Sequence, residues 1–267
     1  MVATTRTTPE RGDLPVRPGL VTTGWAVGLP LLRIALVAIA SMLVWLIAGA
    51  QPDAFPPSPL LSSIAMLPVN IICLLLVMRL VRREGGSVRA MLGWQTDRIW
   101  RDLAWGLLWL AVMYLPFVGV MIGIMALRFG PDLFDSFETV FVSGALPDLP
   151  LGVWGVLGAI SALTFAPLNA PAEELVYRGY AQGRLARRLP QALAIAIPAM
   201  LFGIQHIWYA PTPDAVLIFV CCFTIWGLIS GLIYRWQGRL MPLVFAHGLV
   251  NLAFTLPALF IPFMIGA

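Results

Sequence analysis

The sequence predicts an all-α fold, a polytopic transmembrane bundle of seven to eight helices. Two observations predict it. First, 60% of the 267 residues are apolar and only 11% are charged, with a mean hydropathy of +0.87. A water-soluble domain carries about 45–50% apolar and about 25% charged residues, so lipid is the solvent for most of this surface. Second, the apolar residues fall into runs near the 20 or so needed to cross a bilayer. Only helices can supply so many spans of that length while satisfying every backbone group.

The elements follow in order. Residues 1–24 are polar and hold Pro9, Pro15 and Pro18, which reads as a flexible cytoplasmic tail. Residues 25–267 read as one transmembrane domain. Seven apolar segments lie near 25–49, 60–80, 103–127, 151–172, 190–207, 215–234 and 240–263. Ala48-Gly49-Ala50 looks like a small-residue cleavage site, but the preceding run is long enough to span and follows a long polar tail. It reads as the first membrane helix.

The charges test the count. All 17 basic residues are arginine. Fifteen fall in the tail (Arg6, Arg11, Arg17), in or beside the 80–102 connection (Arg79, Arg82, Arg83, Arg89, Arg98, Arg101), after the fourth span (Arg178, Arg184, Arg187, Arg188) and before the last (Arg235, Arg239). Seven spans put all four places on one side. The opposite loops hold Arg128 with Asp53, Asp132, Asp135, Glu138, Asp148 and Asp214. By the positive-inside rule the N-terminus is cytoplasmic, as expected of a protein of the bacterial cell membrane. Arg33, in the first span, is expected to snorkel to the inner interface. This distribution accounts for the net charge of +4 without a nucleic-acid partner; the expected partner is membrane lipid. Cys73, Cys221 and Cys222 lie in apolar runs and suit neither a disulfide framework nor a CxxC metal site.

Ionisable residues within spans are costly and call for a functional reading. Three groups stand out. Glu173 and Glu174 are adjacent, so on a helix they point about 100° apart and cannot share a task. Glu174 and Arg178 are four apart, the orientation that favours an ion pair on one face; Glu173 has no local partner and suits a general base. Pro171 marks either the first turn of a helix or a kink in a longer one. The second group is Phe202 to His206, and the third is His247 with Asn251, four apart and on one face. Taken singly, each has a plain alternative: a solvated turn, an interfacial histidine, a helix-packing hydrogen bond. Depth joins them. At about 1.5 Å rise per residue, Glu173, His206, His247 and Asn251 lie roughly 20, 24, 12 and 18 Å above the arginine-rich side, so they are able to meet near mid-membrane. A carboxylate, two imidazoles and an amide are the equipment of hydrolysis: a base, a holder of water or metal, and oxyanion donors.

These residues resemble the motifs of the CPBP membrane proteins, the type II CAAX prenyl endopeptidases with their bacterial relatives in bacteriocin processing and self-immunity (Abi proteins). The family pattern is Glu-Glu-x-x-x-Arg, then Phe-x-x-x-His, then His-x-x-x-Asn or Asp, on separate membrane helices. Here it is Glu173-Glu174…Arg178, Phe202…His206 and His247…Asn251, in that order, and it uses both histidines of the chain. Tyr177 stands where the family often has Phe. The resemblance covers about 150–255. It implies an eight-helix or similar bundle and an intramembrane endopeptidase acting on peptide or membrane-protein substrates, prenylated or amphipathic. It implies that Glu173 and His206 activate water, that His247 and Asn251 stabilise the oxyanion, and that Glu174 and Arg178 orient the site. Glu173, His206 and His247 are also a donor set for a divalent metal such as zinc, although there is no HExxH pair, and a metal-free mechanism uses the same three residues. Two other classes remain open on the residues alone: a transporter or proton relay built on the buried Glu and His, against which no inverted repeat is visible, and a non-catalytic immunity or scaffold protein.

Overall fold

The computed structural model describes residues 23–50, 55–142 and 150–265; residues 1–22 of the expected tail lie outside them. Seven long helices occupy the seven apolar segments: α1 (Thr23–Ile47), α2 (Pro59–Arg83), α3 (Ile99–Phe129), α4 (Leu151–Glu174), α5 (Gln191–Gln205), α6 (Pro213–Gln237) and α7 (Met241–Ile265). Short helical turns at Val88–Leu92 and Phe137–Phe141 fill the connections, and the described residues contain no strand. Six helices are long and apolar enough to cross a membrane among the described residues, and α7 adds a further apolar helix. Leu115, Leu127 and Leu163 are each more than 70% exposed on the outside of the bundle, which is the surface of an integral membrane protein.

Local chemistry sets the helix ends. Ser58 accepts a hydrogen bond from the Leu61 amide and Pro59 occupies the first turn of α2. Thr212 does the same for α6, accepting from Ala215 at 3.1 Å ahead of Pro213. Both follow the rule that hydroxyl caps satisfy orphan amides and that proline suits a first turn. Gly238 closes α6 with φ +69°, a conformation side chains rarely adopt.

Helix α4 is the hub. It packs against α2 and α7, and its continuation packs against α1 and α5. It does not end at the predicted residue 172. It runs on through a π-helical stretch, Leu175–Gln182, and a last turn, Gly183–Leu185. Pro171 therefore lies inside a longer helix. Arg178 and Arg184, expected in a connection, are buried in that extension at 1% and 5% exposure. Arg184 pairs with Glu84, which also accepts from the Tyr180 hydroxyl at 2.9 Å. Nearby, Arg239 bonds both oxygens of Asp102 and the Gly93 carbonyl. These contacts gather residues 84, 93, 102, 184 and 239 at one end of the bundle, while Arg128 in the last turn of α3 pairs with Asp214 in the first turn of α6 at 2.6 Å.

Helices α5 and α6 pack backbone to backbone. A Cβ on Gly227 would sit 2.8 Å from the Ala199 Cα, and one on Gly203 would sit 2.6 Å from the Val220 carbonyl oxygen. Small residues permit such approach in membranes, where packing rather than hydrophobic exclusion drives association. This seam fixes the end of α5, where the α-helix gives way to a 3-10 turn, His206–Tyr209. Gly227→Val should lower the stability of the detergent-solubilised protein by about 1–3 kcal/mol, the usual cost of overpacking. Leu163→Ala, on the outer surface, should leave the unfolding temperature nearly unchanged.

Candidate active site

Glu173 and Glu174 leave α4 in the two directions that adjacent helical residues must take. Both are buried, at 3% and 1% exposure, so neither is solvated at an interface. Glu174 Oε1 lies 3.4 Å from Arg178 Nη1, the expected i,i+4 pair. The Arg178 guanidinium also sits over the Phe202 ring, 4.4 Å from its centre, which gives the Phe of the Phe-x-x-x-His motif a physical task. Cation and ring face attract, and more strongly when desolvated.

Glu173 finds its partners far away in sequence. Its Oε1 accepts from Arg33 Nη2 at 2.9 Å and from Gln205 Nε2 at 2.6 Å. Arg33 does not snorkel. It is 0% exposed near the middle of α1 and also donates to Asn70, Asn169 and Gln205 at 3.0, 2.9 and 3.2 Å. A guanidinium that meets four side-chain oxygens inside the bundle gains more than one stretched toward an interface. The Tyr177 hydroxyl donates to Gln205 Oε1 at 2.8 Å. That bond and the one from Arg33 Nε fix the amide orientation that aims Nε2 at Glu173. Sequence reading missed Arg33, Asn70, Asn169, Gln205 and Tyr177 as members of the site. A usable signal existed, since the three amides are polar groups within apolar spans.

His247 stands between the two carboxylates. Its Nδ1 donates to Glu174 Oε1 at 3.0 Å, and its Nε2 lies 3.3 Å from Glu173 Oε2. His206 donates from Nδ1 to the Phe202 carbonyl at 2.7 Å and stacks on Phe223 with ring centres 3.4 Å apart, which leaves Nε2 as the acceptor. The Asn251 Nδ2 is buried without a hydrogen-bond partner. Glu173, His206, His247 and Asn251 all line one cavity of about 460 Å³, whose other walls include Phe117, Phe141, Phe219, Trp226 and Phe254. The four residues singled out by depth therefore share one chamber. Glu174 and Arg178 stand behind its wall.

The donor set does not fit a hydrolytic zinc, which takes three side-chain ligands and leaves a fourth position for water. Glu173 Oε1 is already engaged by a guanidinium and an amide, and the Arg33 charge 2.9 Å away opposes a dication. Among the described residues, no three His, Cys, Asp or Glu side chains are grouped to hold a metal. The label of metalloprotease finds no support in this geometry.

Residues 153–253 match the family model described as Type II CAAX prenyl endopeptidase Rce1-like. Neither a curated protein nor a solved structure matches the chain. The matched segment holds Glu173, Glu174, Arg178, His206, His247 and Asn251, and it excludes α1, α2 and α3. The resemblance read from the ordered motifs is met by this match: over residues 153–253 the chain is similar to the Rce1-like type II CAAX prenyl endopeptidases.

Proposed function

We propose that the protein hydrolyses peptide bonds of membrane-associated substrates by a metal-free attack of water. The observation that carries this reading is the meeting of Glu173, His206, His247 and Asn251 on the wall of one largely apolar cavity.

Glu173 is the base. With Oε1 held by Arg33 and Gln205, Oε2 is the oxygen free to take a proton from water. His206, whose Nδ1 proton is given to the Phe202 carbonyl, presents Nε2 as an acceptor that holds the same water. The water oxygen bonds to the scissile carbonyl carbon as its proton passes to Glu173. The carbonyl oxygen becomes an oxyanion that accepts from the Asn251 Nδ2, with His247 beside it on the same cavity wall. Positioned donors of this kind act strongly where water is excluded. The tetrahedral carbon then releases the amine, the C–N bond breaks, and the Glu173 proton goes to the leaving nitrogen. Glu174 orients His247 through Nδ1, and Arg178 balances Glu174. The aromatic walls suit a prenylated or otherwise apolar segment beside the scissile bond. The arginine-rich end of the bundle faces the cytoplasm, following the positive-inside rule.

The test is cleavage of an internally quenched, farnesylated CAAX-type peptide by the purified protein in proteoliposomes. Glu173→Gln and His206→Ala should each lower kcat by about 10²–10⁴-fold, the range of a lost general acid–base group. Wild-type rates in both variants would sink the mechanism, and a wild type that cleaves nothing would favour a scaffold or immunity protein. Asn251→Ala should cost about 10²–10³-fold in kcat, as for one oxyanion donor. Exhaustive chelation of divalent cations should leave the rate unchanged, and a chelator-sensitive, zinc-restored activity would overturn the metal-free reading. Glu174→Ala should lower stability by about 3–5 kcal/mol, because it strands the buried Arg178 charge; this is measurable by unfolding in mixed detergent.

A further inference from the structure

We infer that Arg33 is a positioning residue for Glu173, so that the catalytic unit extends beyond the family-matched segment into α1. The inference rests on the proteolytic reading and adds to it a residue that lies outside residues 153–253.

Three features assign this role. The first is specificity of contact. Both strong donors to Glu173, Arg33 Nη2 and Gln205 Nε2, end on Oε1. The two carboxylate oxygens are thereby made unequal, and Oε2 is the one beside His247 Nε2, at 3.3 Å. The second is how Arg33 itself is held. Asn70 on α2, Asn169 on α4 and Gln205 on α5 each offer a side-chain oxygen to the guanidinium. A planar fork held at both Nε and Nη2 has one orientation, which an ammonium on a flexible stem does not reproduce. The third is closure. Arg33 donates to the Gln205 carbonyl oxygen, and Gln205 donates to the same carboxylate oxygen that Arg33 holds. The triangle links α1, α4 and α5, and it ends one residue before His206. Displacing Arg33 therefore moves both members of the water-activating pair.

Mere balance of charge makes a different prediction, because any cation at position 33 would then serve. The test compares Arg33→Lys, Arg33→Gln and, as a control, Arg128→Gln, whose arginine pairs with Asp214 between the ends of α3 and α6, away from the chamber. The farnesylated quenched peptide in proteoliposomes is the kinetic probe. Both Arg33 variants should lose about 100-fold in kcat, the scale of a misplaced catalytic group, with KM little changed and with Arg33→Lys recovering only a small part. Arg128→Gln should match the wild type. The second readout needs no turnover. The infrared carboxylate stretch of Glu173, identified by its loss in Glu173→Gln, should shift in Arg33→Lys and stay in place in Arg128→Gln. A folded Arg33→Lys protein with wild-type kcat and an unshifted Glu173 band overturns the inference. If the wild type cleaves nothing, the proteolytic reading fails, and the infrared comparison alone decides whether Arg33 sets the Glu173 carboxylate.

Discussion

The structure depends on the pairing of charges inside a medium that does not solvate them. Four ionised groups, Arg33, Glu173, Glu174 and Arg178, are each no more than 3% exposed. Leaving any of them alone would cost several kcal/mol. Two carboxylates and two guanidiniums cancel in net charge, but cancellation does not place them. Placement comes from α4, which sends adjacent glutamates in different directions, and from the helices that answer each one. Arg33 and Gln205 meet Glu173, and Arg178 and His247 meet Glu174. His247 touches both sides and so couples the two pairs.

The π-helical stretch after Glu174 belongs to this arrangement. Such segments recur at functional sites because their wider turn breaks the regular 3.6-residue repeat. Within this one, Tyr177 turns toward Gln205, Arg178 toward Glu174 and Phe202, and Tyr180 toward Glu84. One irregular segment thus serves the polar chamber at one end and the buried Glu84–Arg184 pair at the other. The Gly203–Gly227 seam completes the frame by bringing α5 close enough for Gln205 to reach Glu173.

The class of fold was legible because hydropathy and charge report on solvent, and each apolar run carries its own signal. All seven segments coincide with helices. The four chamber residues were legible because polar groups in lipid are conspicuous and because depth is computable from the rise of a helix. What failed was anything that depended on partners in other helices. Arg33 was read as a snorkelling side chain because its own span offers nothing to hold it; Gln205 and Glu173 are 172 and 140 residues away. Arg178 and Arg184 were assigned to a connection because apolarity falls at Glu173, whereas the helix continues on buried ion pairs. Gly227 and Gly231, four apart on α6, are a small-residue packing signal that went unread, although a Cβ on Gly231 would lie 2.8 Å from Ile195 Cγ2.

The partners of Arg33 also impose an order on how the chain is made. Translation delivers α1 first, with its arginine. Asn70 follows with α2 and supplies a single oxygen, while Asn169, Glu173 and Gln205 arrive only with α4 and α5. For most of synthesis the first helix therefore carries a cation that no neighbour neutralises. Its counter-charge comes only with Glu173, at the end of the fourth long helix. A chain cut short before Glu173 therefore holds a first helix whose buried cation has no counter-charge, and one cut short before Gln205 holds a site without the amide that closes it.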